Sequence, residues 1–175
     1  LIIILNGVPN AGKSTVARGL VESIPNAANL EVDYLKQMLS THPDKDALMV
    51  NIENAISVAS NFVWEGFNVV ISYPLEPQFY RRMLEGLNRL ETDIYIFTLC
   101  PPLEVALTKR GPRELQEGLC EKIHFLYNTV NRPHIGKFID NAHQTPEETV
   151  QEILGFVANR DPESFRGSGI DPYFQ

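Results

Sequence analysis

The sequence predicts a three-layer α/β domain, a five-stranded parallel sheet with helices on both faces. Three observations carry this prediction. Apolar runs of strand length alternate with helical stretches along most of the 175 residues. The first run, LIIIL, stops abruptly in a glycine-rich turn. The polar residues able to do chemistry fall just after the strands, at the carboxyl edge where parallel sheets bind ligands.

The elements follow in order. LIIIL (1–5) is apolar throughout and strand-like. VARGLVESI (16–24) has helical periodicity. Residues 29–32 make a short second strand. Residues 45–65 read as a long helix that Gly66 closes. FNVVISY (67–73) is the third strand, stopped by Pro74, and residues 76–90 are helical. DIYIFTL (93–99) is the fourth strand, stopped by Pro101-Pro102. Residues 103–109 and 115–131 read as helices around an arginine-containing break. KFID (137–140) is a short fifth strand. Residues 146–159 form the last helix, with Thr145 as N-cap and Pro146 in the first turn. One domain is expected over 1–160. Residues 161–175 are expected to be a flexible tail whose end, GSGIDPYFQ, resembles an expression scar. The chain opens on Leu1 rather than Met, so residues before it are expected.

Composition narrows the function. Apolar residues make up 43% and charged residues 21%, which is globular. No apolar run approaches the roughly 18 residues of a membrane span. The net charge of −7 comes without a basic stripe, which argues against a long polyanionic partner such as nucleic acid. Cys100 and Cys120 have neither metal-ligand nor redox spacing. They read as reduced structural thiols, in keeping with the cytoplasm.

Gly7-Val8-Pro9-Asn10-Ala11-Gly12-Lys13-Ser14 fits G-x-x-x-x-G-K-[ST] in full and sits between a strand and a helix. Glycines let the backbone turn its N–H groups toward phosphate oxygens. Lys13 adds a point charge, the Ser14 hydroxyl is suited to Mg²⁺, and the positive end of the next helix faces the same spot. Gly7, Asn10, Ala11, Gly12, Lys13, Ser14 and Thr15 are therefore the expected phosphate-binding residues, with Mg²⁺ at Ser14. No N-K-x-D segment marks a GTPase, and the third strand does not end in Asp-Glu as in mechanical ATPases. Phosphoryl transfer to a small acceptor is the leading expectation.

Asp33 follows the second strand, 20 residues after Lys13. A carboxylate there suits a general base for an acceptor hydroxyl. The competing reading is a cap for a helix over 35–40. Glu31 is set aside, because strand alternation is taken to point it away from the neighbours of Asp33. Past the fourth strand, LTKRGPRE carries Arg110 and Arg113 around a Gly111-Pro112 break. Arginines arriving on a lid would stabilise a charge-spread transition state. A solvated basic turn is the alternative.

Taken together, ILNGVPNAGKST, EVDYLKQML, EGFNVVISYPL, LCPPLEVALTKRGPREL and FIDNAHQTPEETV resemble the P-loop small-molecule kinases of the nucleoside-monophosphate-kinase type. The nearest resemblance is to chloramphenicol phosphotransferase and the zeta-toxin-like kinases. It implies sheet order 2-3-1-4-5, ATP with Mg²⁺, Asp33 as base, Arg110 and Arg113 in a lid, and the 141–144 loop against adenine. One departure is plain. Much of the family ends strand three in an acidic residue that helps hold Mg²⁺ through water, and Ser72 stands about there. Metal affinity would then be weaker, or Asp33 would serve twice. Tyr73-Pro74-Leu75 is similar to the Phe-Pro-Arg of adenylate kinases, with Leu75 where their phosphate-binding arginine lies.

Residues 33–68 contain no arginine. A phosphorylated acceptor wants a bidentate arginine clamp, so a neutral or cationic hydroxyl compound is expected. Tyr34, His42, Phe62, Trp64 and Tyr73 are candidate lining residues, with Phe62 and Trp64 equally readable as core. Arg81 and Arg82 read as solvated. Two other classes compete with a small-molecule kinase: an ATP-binding regulatory module without transfer, and a polynucleotide 5′-kinase domain.

Overall fold

A computed structural model of the chain describes residues 1–40, 45–110, 115–130, 136–161 and 165–166. The sheet runs β2-β3-β1-β4-β5, with β1 Ile2–Asn6, β2 Ala27–Glu31, β3 Asn68–Ser72, β4 Ile94–Leu99 and β5 Lys137–Ile139. All four pairings along this path are parallel. The helices are α1 Lys13–Ser23, α2 Val32–Gln37, α3 Lys45–Trp64, α4 Pro77–Leu87, α5 Leu103–Ala106, α6 Glu117–Val130 and α7 Pro146–Ala158. This is the α/β fold, with the strand order 2-3-1-4-5, that the sequence leads one to expect.

Strand alternation divides the core in two. Ile2, Ile4, Leu30, Val69 and Ile71 point to one face and pack with α3 and α4 residues such as Ile52, Tyr80 and Met83. Ile3, Leu5, Val70 and Phe97 point to the other, against Val16, Leu20, Ile123 and Ile153 of α1, α6 and α7. β1 is buried on both faces, hence its unbroken apolar run. Among the described residues no helix is long and apolar enough to cross a membrane.

Several boundaries follow visible chemistry. Gly66 follows α3 at φ 81°, a left-handed conformation that glycine adopts without steric cost. Thr145 caps α7 in a reciprocal box: its hydroxyl accepts from Glu148 N–H at 3.2 Å, and the Glu148 carboxylate accepts from Thr145 N–H at 2.8 Å. β2 ends at Glu31, two residues before Asp33, and α2 starts at once. Within the segment expected as a tail, Phe165–Arg166 form β6, antiparallel to β4 at Ile94 and Tyr95.

Register fixes what meets at the carboxyl edge. Leu5 and Glu31 are both partners of Ser72, and Asn6 pairs with Thr98. Asn6 is fully buried where β1 leaves the core. Its amide donates to Thr98 Oγ1 at 2.9 Å and to the Val130 carbonyl at 3.2 Å. Its Oδ1 accepts from Leu75 N–H at 2.8 Å. One side chain thus joins β1, β4, α6 and the chain leaving β3, just below the glycine-rich turn.

Candidate active site

A cavity of about 890 Å³ opens at the carboxyl edge of the sheet. Pro9, Asn10, Gly12, Lys13, Ser14 and Thr15 form one wall. The loop has the unusual backbone this shape requires. Gly7 (φ 137°) lies so close to β4 that a Cβ would strike the Leu99 carbonyl oxygen. Gly12 has φ 96°, and Asn10 is left-handed at φ 66°. α1 begins at Lys13, so its first N–H groups lack intrahelical acceptors and carry the positive end of the helix. Gly7 and Ala11 shape the loop from behind. Ala11 is fully buried, and its N–H donates to the Val8 carbonyl.

Lys13 folds back over the loop. Its Nζ donates to the Gly7 carbonyl at 2.8 Å and the Val8 carbonyl at 2.9 Å. Desolvation brings its pKa down to about 8; Asp33 and Glu31 oppose that shift, and Lys122 adds to it. Asp33 and Lys122 also line the cavity, from α2 and α6. Asp33 is an exposed first-turn residue of α2, whose N-cap position is held by Glu31 with no side-chain capping bond. The capping alternative for Asp33 is thereby corrected, because the helix begins before it.

Glu31 requires the opposite correction. Alternation gives no ground for setting it aside, since residues 31 and 33 of a continuous strand would share a face, and β2 ends at Glu31. Leu30 faces the α3–α4 core, so alternation turns Glu31 to the α1 side. There Ser14 Oγ donates to Glu31 Oε2 at 2.7 Å. Asn29 Nδ2 approaches Oε1 of the same carboxylate at 3.4 Å.

The opposite wall comes from Arg110, Leu119, Asn141, Ala142, Gln144 and Thr149. Arg110 Nη2 donates to the Asn141 carbonyl at 2.7 Å, and Asn141 Nδ2 donates to the Ala11 carbonyl at 2.9 Å. Asn141 is buried, and it ties the arginine to the phosphate loop. Asn10 makes a second tie, donating to the Ala106 and Thr108 carbonyls at 2.7 and 2.9 Å. Arg110 Nη1 and Asn141 Oδ1 are buried without partners among the described residues. Arg113, Gly111, Pro112 and His42 lie outside the described residues.

The aromatic candidates for an acceptor pocket fall elsewhere. Tyr73 belongs to the α3–α4 core, edge-on to Phe79, and its hydroxyl is pushed up to about 12 by desolvation and by Asp33 and Glu76. Phe62 packs edge-on to Phe67, while Trp64 and Tyr34 are exposed. The cavity extends instead toward Lys36, Gln37, Leu39 and Pro74. Arg82 is held by Glu53, with Nη2 to Oε2 at 2.7 Å, and is not merely solvated. Asn141 lies in the 141–144 loop that the resemblance set against the base, whereas sequence reasoning missed Lys122 as a lining residue. Lys122 has no local motif, and only the packing of α6 brings it to the phosphate loop.

No protein-family model matches the chain. Solved structures do. The Deinococcus radiodurans tunicamycin resistance protein is 20% identical, with a TM-score of 0.68 over 89% of this chain and 94% of that one. The Mycobacterium tuberculosis APS kinase, in complex with AMPPNP and APS, is 19% identical, with a TM-score of 0.70 over 90% and 96%. A gluconokinase from Sinorhizobium meliloti 1021 is 17% identical, with a TM-score of 0.65 over 91% and 93%. The fold is that of the P-loop kinases. The expected resemblance is thus met at the level of architecture, and the cavity just described lies at the P-loop of that fold.

Proposed function

We propose that this chain is an ATP-dependent phosphotransferase that moves the γ-phosphate of ATP to a hydroxyl group of a small molecule. One observation carries the reading: Lys13, Ser14, Asp33 and Arg110 face a single cavity that continues past the phosphate loop to Lys36, Gln37 and Leu39. A binding loop alone needs no carboxylate opposite its lysine. A transferase does, because the acceptor hydroxyl must lose a proton as its bond to phosphorus forms. The gluconokinase and the APS kinase among the neighbours support the same class.

Each residue has a task in this reading. The loop and the first N–H groups of α1 hold the phosphates. Lys13 leaves the Gly7 and Val8 carbonyls for the β/γ-phosphate oxygens. Asp33 accepts the acceptor proton as the acceptor oxygen bonds to phosphorus and the bond from phosphorus to the β-phosphate oxygen breaks, releasing ADP. Arg110 and Arg113 supply positive charge when the transferred group spreads its own. Asn141, Ala142 and Gln144 border the space for the base. Mg²⁺ fits the oxygen chemistry at Ser14; when bound it offsets phosphate charge.

The acceptor is read as neutral or cationic. Residues 33–68 hold no arginine, and Arg82 is occupied by Glu53. The test is ADP release from ATP across a panel of sugars, nucleosides, aminoglycoside-type polyols and RNA 5′-ends. Stimulation by a small hydroxyl compound supports the reading. Stimulation by RNA ends alone would assign a polynucleotide kinase, and nucleotide binding with no stimulation a regulatory module.

A further inference from the structure

We infer that Glu31 supplies the carboxylate of the metal site, so that the charge absent at the end of β3 is provided from the end of β2. The inference rests on the nucleotide reading above and deepens it.

A serine that ligates a cation does so through an oxygen lone pair, which leaves its proton to be placed. An acceptor that takes this proton orients the lone pair and makes the oxygen a better donor to the metal. The Ser14 hydroxyl donates a hydrogen bond to Glu31 Oε2 at 2.7 Å. Glu31 is the direct ladder partner of Ser72, so the two side chains stand side by side on the α1 face. Ser72 is itself buried at 5% exposure and lines the same cavity as Glu31 and Ser14. A carboxylate on either strand therefore serves the same few ångströms of space. Mg²⁺ is commonly held by one or two carboxylates with substrate phosphates and waters, rather than by an all-protein cage. Asp33, in the first turn of α2, then remains free for the acceptor and need not serve twice.

The experiment measures AMP-PNP affinity by calorimetry, without metal and with saturating Mg²⁺, for four proteins: wild type, Glu31→Gln, Glu31→Gln with Ser72→Asp, and Asp33→Asn. The ratio of the two affinities is the metal increment. Glutamine keeps an oxygen to accept from Ser14, so metal-free affinity should stay near wild type. The increment should fall by about 10- to 100-fold, the usual effect of losing such a partner. Ser72→Asp in the Glu31→Gln background should restore most of it, and Asp33→Asn should leave it within about threefold. Electron paramagnetic resonance of Mn²⁺ with AMP-PNP gives the same comparison without catalysis. An unchanged increment in Glu31→Gln overturns the inference, and so does its loss in Asp33→Asn alone. With metal-free binding intact, those results leave the nucleotide reading standing. A wild-type protein that binds no AMP-PNP under either condition overturns both.

Discussion

Lys13 offers the sharpest test of how the phosphate loop is built, because its function and its contribution to stability have opposite signs. Its pKa is lowered from 10.5 to about 8, chiefly by desolvation. Holding the charge in the loop at pH 7 therefore costs about 3 kcal/mol. Against this stand two hydrogen bonds, to the Gly7 and Val8 carbonyls, together worth about 2 kcal/mol. Lys13→Met fills the same space without charge. It should be more stable than wild type at pH 7 by about 1 kcal/mol. The unfolded chain keeps the lysine proton up to its ordinary pKa, while the folded chain releases it near pH 8. Wild-type stability therefore rises with pH relative to the variant, by about 2 kcal/mol between pH 7 and 9.5, and the ranking reverses. Urea unfolding of both proteins at the two pH values measures this directly. Phosphate contact restores the lysine proton, so wild-type nucleotide affinity should also weaken above pH 8, by up to tenfold per pH unit. A stability difference that does not change with pH, or an affinity flat from pH 7 to 9.5, would refute the claim that a desolvated lysine waits in this loop for an anion.

Three further outcomes follow from the geometry. Asp33→Asn should cut transfer by about 10²–10⁴-fold with little change in Tm, since Asp33 is exposed and caps nothing; steady-state kinetics beside a melting curve separate the two effects. Arg110→Ala should lower kcat by about 10²–10³-fold more than it alters ATP affinity, as single-turnover and binding measurements would show, and equal loss in both would make Arg110 a ground-state clamp. Asn6→Ala strips partners from Leu75 N–H, Thr98 Oγ1 and the Val130 carbonyl. It should destabilise by about 3 kcal/mol in chemical denaturation, and a loss below about 1 kcal/mol would remove Asn6 as the tie beneath the loop.

The sequence carried the architecture because the physics behind it is local. A doubly buried strand reads as an unbroken apolar run, and LIIIL is fully buried from Ile2 onward. The phosphate loop is equally legible, since each of its positions has a backbone or charge requirement. What escaped depends on where a strand stops or on contacts between distant segments. Glu31 was misjudged because alternation was misapplied: residues two apart in a strand share a face, so alternation never separated Glu31 from Asp33, and β2 in any case ends at Glu31, whose carboxylate meets Ser14. Asn6 shows in the sequence only as a polar residue after a strand. Its three partners lie 69 to 124 residues away. Lys122 likewise reaches the cavity only through the packing of α6, while the 141–144 loop was singled out by the family resemblance alone. The aromatic residues stayed open between pocket and core, because such a side chain serves either until the packing is known; Phe62 and Tyr73 pack with the α3–α4 core.

The central claim is transfer, and ³¹P nuclear magnetic resonance of the protein with ATP, Mg²⁺ and the best acceptor from the panel tests it most directly. A phosphomonoester signal should grow in step with ADP in the wild type and fail to appear with Asp33→Asn, while the variant still binds ATP. Inorganic phosphate as the only product in the wild type, or an undiminished ester signal in the Asp33→Asn protein, would contradict the account.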